Sequence, residues 1–380
     1  MRIAVNTRFL LKDRLEGIGR VSYELSRRLV EQHPEDEFLF LFDRAYDPSF
    51  LFNDRVTARV VSPPARHPIL WYAWFEWGIP KALRQWKADV FFSPDNYCSL
   101  RSNCPSLMLC HDLAHLHHPD QIPSLVRRYY DHFVPRFLQR ANHIGAVSAY
   151  TQADVQQQYG IEAQKISVLY NGCRDIFQPL PPQQQESVRR EFSQGQPYWF
   201  YAGAVHPRKN VDGLIRAFNR FKEQTNAPHK LLIGGRWAWQ TGPVKTAYEE
   251  STHQQDIEFL GFLSEQDLGQ LLGAAYGLVY VSHFEGFGLP VLEAMHSEVP
   301  VITSNSSSLP EVAGDAALLV NPKEDAQIAK AMVRLWEEKG LREELIERGR
   351  KQRGQFDWDQ SAAKLYSLLE RLAENGTVNK

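Results

Sequence analysis

Short apolar runs alternate with longer amphipathic stretches along almost the whole chain. Strand-like runs lie at 2–10, 37–42, 56–62, 90–93, 106–110, 143–148 and 166–170, each about as long as a buried strand. Helical spacing fills several of the gaps, at 19–32, 79–86, 124–140 and 150–159. Around Asn171-Gly172 the pattern stops. The polar, proline-rich stretch Gln178-Pro179-Leu180-Pro181-Pro182-Gln183-Gln184-Gln185 that follows predicts an interdomain linker. Alternation then resumes with strands near 198–203, 230–234, 256–260, 277–282, 299–304 and 317–320, and helices at 211–224, 265–275 and 326–339. Such a pattern predicts an α/β protein built on parallel, doubly wound sheets. The expected layout is a Rossmann-like domain at 1–175, a linker at 176–195, a second Rossmann-like domain at 196–355 and a closing helical segment at 356–380.

Composition narrows the function. A chain of 380 residues, 43% hydrophobic, is long enough for two cores. Its formal net charge of −2 argues against a nucleic-acid binder. The first residues run straight into a strand, and no apolar run approaches the ~18 residues of a membrane span. Cys98, Cys104, Cys110 and Cys173 lack the Cys-x2-Cys spacing of a zinc site, so free thiols in a reducing, cytoplasmic setting are expected.

The most informative stretch is Glu285-Gly286-Phe287-Gly288-Leu289-Pro290-Val291-Leu292-Glu293. It follows the apolar run 277–282 and opens a helix, with Pro290 suited to the first turn. Glycines let backbone approach a ligand closely. The N–H groups of Gly286 to Leu289, aided by the helix dipole, make a seat for an anion such as a diphosphate. Glu285 and Glu293 flank that seat, and sugar hydroxyls are the donors they would meet. An ordinary β-to-α turn with both glutamates solvated is the plain alternative.

This Glu-x7-Glu frame around Phe-Gly-Leu-Pro resembles the signature of the retaining glycosyltransferases of family 4, which have the GT-B fold. Gly261-Phe262-Leu263 upstream agrees with it, as do the stretches 300–304 and 308–316 downstream. The resemblance implies two Rossmann-like domains facing a central cleft, a last helix that crosses back to the N-terminal domain, and no metal or other cofactor. By the same resemblance Arg208 and Lys209, in Tyr201-Ala202-Gly203-Ala204-Val205-His206-Pro207-Arg208-Lys209-Asn210, hold the donor diphosphate. Ala204 stands where many relatives have a second arginine. Gly17 and Gly19, in Glu16-Gly17-Ile18-Gly19-Arg20, would lie over the donor phosphates; Ser22 in place of a third glycine weakens a dehydrogenase reading. His111, in the His111-Asp112 pair that ends a strand, would contact the transferred sugar. Glu285 would hold the same sugar, and Glu293 the ribose.

The expected activity is therefore transfer of a hexose, with retention, from a nucleoside diphosphate sugar to a hydroxyl of a glycan or lipid-linked glycan. Mannose from GDP-mannose is preferred, because the overall pattern looks most like bacterial polysaccharide mannosyltransferases. A glycosyl phosphorylase of the same fold and a non-catalytic sugar-nucleotide-binding subunit are the alternatives. Trp71, Trp74 and Trp77, spaced three apart, predict core packing first. With Arg127, Arg128, Arg136 and Arg140 nearby they also suggest peripheral contact at the inner face of the membrane. Finally, Glu298 stands where relatives usually place glycine after a helix, so a different local turn is expected there.

Overall fold

The computed structural model describes residues 1–12, 15–238 and 241–378. It forms two compact units, Met1–Asn171 with Asp357–Lys380, and Gly172–Phe356.

The first unit holds seven strands: β1 (Arg2–Asn6), β2 (Glu37–Phe42), β3 (Val56–Val60), β4 (Val90–Ser93), β5 (Ser106–Cys110), β6 (His143–Ala146) and β7 (Ile166–Val168). They pair in parallel in the order β3-β2-β1-β4-β5-β6-β7. β1 ends at Asn6, four residues short of the apolar run, because the backbone turns as Leu10 N–H donates to the Thr7 carbonyl. At the carboxyl ends of β1 and β4 lies a buried polar knot in which Asp95 accepts from Asn6 Nδ2 at 2.9 Å and from Arg8 Nε at 2.7 Å. Trp74 and Phe75 are fully buried, as the core reading of the tryptophan run requires. Trp77, on the π-turn Trp74–Gly78, instead points out and is 55% exposed. The helix Trp358–Val378 packs in this unit: Arg28 Nε donates to Asp359 at 2.7 Å and Tyr366 Oη to Asp36 at 2.9 Å.

The second unit holds β8 (Tyr198–Ala202), β9 (Lys230–Gly234), β10 (Ile257–Gly261), β11 (Gly277–Tyr280), β12 (Val301–Ser304) and β13 (Ala317–Val320). Their order is β10-β9-β8-β11-β12-β13, again parallel throughout. Chain order reverses between β8 and β11, and at such a switch point the flanking loops diverge and leave a crevice for ligands. The proline- and glutamine-rich stretch expected to be a linker is largely helical, Pro182–Ser193. Pro182 suits the first turn, Val188 is buried and Phe192 half-buried, so a mostly polar helix forms where no periodicity announced one.

Glu298 adopts the left-handed conformation, φ 56°, that a glycine would take more readily. The turn is thus the glycine type with a side chain added, and Arg350 grips that carboxylate through Nε at 2.9 Å and Nη2 at 2.6 Å.

Candidate functional site

In the second unit the loops leaving β8 and β11 are stitched together. His283 N–H donates to the Arg208 carbonyl at 2.8 Å. Asn210, itself left-handed at φ 56°, donates through Nδ2 to the carbonyls of Val281, at 3.1 Å, and Pro322, at 2.6 Å. This fastening sets Lys209 against Glu285. Lys209 Nζ lies 2.6 Å from Glu285 Oε1 and 2.9 Å from Tyr280 Oη, while Tyr280 Oη donates to the same carboxylate oxygen at 2.8 Å. Side-chain exposure is 16% for Lys209 and 9% for Glu285, so the pair lies largely out of water.

Charge is fixed at this point. Burial alone would raise the Glu285 carboxyl, but Lys209 and then Arg208 outweigh it and hold the group below the ordinary carboxylate value. Burial, followed by the neighbouring Glu285 charge, pushes the Tyr280 hydroxyl well above the ordinary phenol value. Tyr280 therefore stays protonated and can donate to Glu285. The Tyr201 ring stacks on it with centroids 5.9 Å apart.

The loop carrying Glu285 is pinned from below. Glu285 N–H donates to Ser307 Oγ at 2.9 Å, and Ser308 Oγ donates to the carbonyls of Glu285 and Phe287 at 2.9 and 2.8 Å. Gly286 and Gly288 are buried, and Gly288, at φ 111°, precedes the helix Leu289–His296. A Cβ on Gly288 would stand 2.6 Å from Leu309 Cδ2, and at φ 111° any other side chain would be strained. The Phe287 ring packs edge-on to Phe356, at 5.5 Å, leaving its backbone as the part able to meet a ligand.

Glu293, like Glu285, has a cationic partner. It is buried, and Arg174 Nη2 donates to its Oε1 at 2.8 Å. Sequence reasoning missed Arg174, Tyr280 and the Ser307–Ser308 pair. Tyr280 lies within the apolar strand run 277–282, and Arg174 sits in a segment without periodicity.

Gly17, Gly19 and His111 belong to the first unit. Gly17 has φ 46° immediately before the helix Ile18–Gln32, and Gly19 is buried within that helix. His111 follows β5; its N–H donates to Asn96 Oδ1 at 2.7 Å and its Nε2 to the Pro94 carbonyl at 2.8 Å. The carbonyl partner fixes the Nε2–H tautomer and leaves Nδ1 as an acceptor. Burial lowers this imidazole below its ordinary value, with Pro94 and the nearby Asp112 and Asp95 opposing. His115 and His117 bond Tyr159 Oη at 3.0 Å and Asp154 Oδ2 at 2.8 Å. Among the described residues no group of three or more His, Cys, Asp or Glu could hold a metal ion.

Two parallel, doubly wound sheets, one in each unit, define the α/β class, and the crevice at the second sheet's switch point is where such sheets take ligands. The family model described as Glycosyltransferase Family 4 matches residues 15–175, and that described as Glycosyl transferases group 1 matches 182–352. O-antigen chain mannosyltransferase B of Escherichia coli is 30% identical over 367 residues, covering 92% of this chain and 94% of that protein. O-antigen chain mannosyltransferase RfbU of Salmonella typhimurium is 25% identical over 283 residues, 73% of this chain and 72% of the relative. Among solved structures, sucrose-phosphate synthase from Thermosynechococcus elongatus superposes with a TM-score of 0.80 at 18% identity, covering 98% of this chain and 99% of that one. The chain belongs to glycosyltransferase family 4 and is a glycosyltransferase of the GT-B type.

Proposed function

We propose that the protein transfers mannose, with retention of configuration, from GDP-mannose to a hydroxyl of a glycan or lipid-linked glycan. The observation that carries the reading is the buried Lys209–Tyr280–Glu285 cluster at the β8/β11 switch point, beside a glycine-led helix start. In this reading Lys209, Arg208 and the backbone of Gly286 to Leu289 offset charge developing on the departing diphosphate, where preorganised donors act most strongly. Glu285, held ionised, accepts from hydroxyls of the transferred sugar, and Glu293 accepts from the ribose. His111, Gly17 and Gly19 enter on their sequence positions alone. The diphosphate helps deprotonate the incoming hydroxyl, and no metal or other cofactor takes part.

The choice of mannose rests on the names of the two mannosyltransferase relatives. Slow donor hydrolysis across GDP-mannose, UDP-glucose and other activated hexoses tests it, with release of GDP expected from GDP-mannose. Preferential release of UDP from a uridine donor overturns the donor assignment. NMR of the anomeric centre in a transferred product tests retention, since an inverted centre contradicts it. A lipid-linked acceptor is favoured by the exposed Trp77 in the first unit, with Arg101 over its ring at 5.9 Å.

A further inference from the structure

Arg174 occupies an unusual position for a residue with no assigned part in the reaction. It stands at the start of the second unit, where its guanidinium joins two carboxylates from different helices. Nη2 meets Glu293 Oε1, on the helix Leu289–His296, at 2.8 Å, and Nη1 meets Glu265 Oε1, on the helix Glu265–Gly273, at 3.3 Å. The Phe177 ring covers the guanidinium at 4.6 Å. The Arg174 side chain is 14% exposed and that of Glu293 7%, whereas Glu265, at 54%, reaches solvent. Among the described residues no group donates to Glu293 Oε2, and that oxygen is not among the sealed, unpartnered atoms of the protein.

A carboxylate on a flexible two-carbon stem, left without a partner, is free to turn away from a ligand. A planar guanidinium clamped by an aromatic face and a second carboxylate removes that freedom, because its donors lie in a fixed fork. We propose that Arg174 is a positioning residue: it occupies one oxygen of Glu293, holds the group rotationally fixed, and presents the other oxygen to the ribose hydroxyls of the nucleotide donor. Ribose recognition then runs through a relay from Glu265 through Arg174 to Glu293. This rests on the reading of Glu293 as the ribose contact.

Binding of GDP and UDP is compared with binding of their 2′,3′-dideoxy counterparts, by calorimetry, in wild-type protein, R174Q, R174K and E293Q. In the wild type, loss of the ribose hydroxyls is expected to weaken whichever nucleotide binds by about 10- to 100-fold, the range for a hydrogen bond to a charged group. R174Q is expected to bind natural and dideoxy nucleotides with nearly equal, weakened affinity, as E293Q does. R174K, which keeps charge without the fork, recovers part of the discrimination. Donor KM rises in R174Q by more than kcat falls, and an unchanged unfolding transition shows that the fold is intact. Should R174Q destabilise the fold, the R174K comparison still decides. Full ribose discrimination in R174Q overturns the proposal while leaving the nucleotide site standing. If the wild type itself ignores the hydroxyls, or binds neither nucleotide, the reading of Glu293 fails first and this proposal with it.

Discussion

Replacing Lys209 by methionine keeps most of the side-chain volume and removes the cation that Glu285 and Tyr280 share. At 2.6 Å and an effective dielectric of ~20, the raw attraction of the Lys209–Glu285 pair is about 6 kcal/mol. Desolvation of both groups offsets much of that, so the net loss on removing one partner of a buried pair is about 3–5 kcal/mol. For a unit of this size each kcal/mol moves the midpoint by roughly 2–4 °C, giving a fall of about 6–20 °C by calorimetry. Turnover should drop by about 10²–10³-fold, the usual effect of deleting one preorganised electrostatic donor. The double variant K209M/E285Q removes both charges together. It should recover most of the lost stability and none of the activity. The pH dependence follows with a definite sign. In the wild type Glu285 is held below 4.5, so its contribution is present above that value and fades as pH falls through the lowered one. Without Lys209, burial is opposed chiefly by Arg208 and the group moves up from its wild-type position, so the variant's deficit should shrink as pH falls through the acidic range. A K209M protein with wild-type melting and turnover would refute this reasoning.

Three other outcomes are expected. Gly288→Ala forces a Cβ to within 2.6 Å of Leu309 at φ 111°, so donor binding should weaken by at least tenfold and melting should fall; unchanged binding would mean that the helix start does not carry the anion. Since burial lowers His111, its imidazole is neutral at pH 7, and kcat/KM should show no protonic loss assignable to it between pH 6.5 and 8; a loss in that range that disappears in H111N contradicts the assigned state. Trp77→Ser, at a position 55% exposed, should reduce flotation with anionic liposomes several-fold without changing hydrolysis of soluble donor, and absence of flotation in the wild type removes the membrane contact altogether.

Most of both sheets is legible in the chain because parallel strands buried on two faces read as unbroken apolar runs. Tyr198–Ala202 and Lys230–Gly234 are fully buried along their length and were bounded within a residue. Two local structures went unannounced for different physical reasons. Residues 182–193 are polar because a surface helix needs only a narrow buried stripe, here Val188 and Ser193, so composition resembled a connector. Glu298 keeps the glycine-type turn because Arg350, 52 residues away, rewards the carboxylate with two hydrogen bonds. Motif resemblance assigns Lys209 and Glu285 to one donor, but their direct contact, the tyrosine bonded to both and the arginine on Glu293 are visible only in the structure. Neither Tyr280 nor Arg174 carries a local signature, and only the adjacency of β8 to β11 and of two helices gives them partners.

The strand order of the second sheet also bears on how the molecule breathes. β8 and β11 are the innermost pair, each guarded by two further strands on its outer side. Fraying that starts at the margins, β10 or β13, must dissolve two rungs before it reaches the loops bearing Lys209 and Glu285, and opening free energies commonly rise towards such interiors. Amide protons of β8 and β11 should therefore exchange most slowly, and the charged cluster should survive excursions that already expose the sheet's rims.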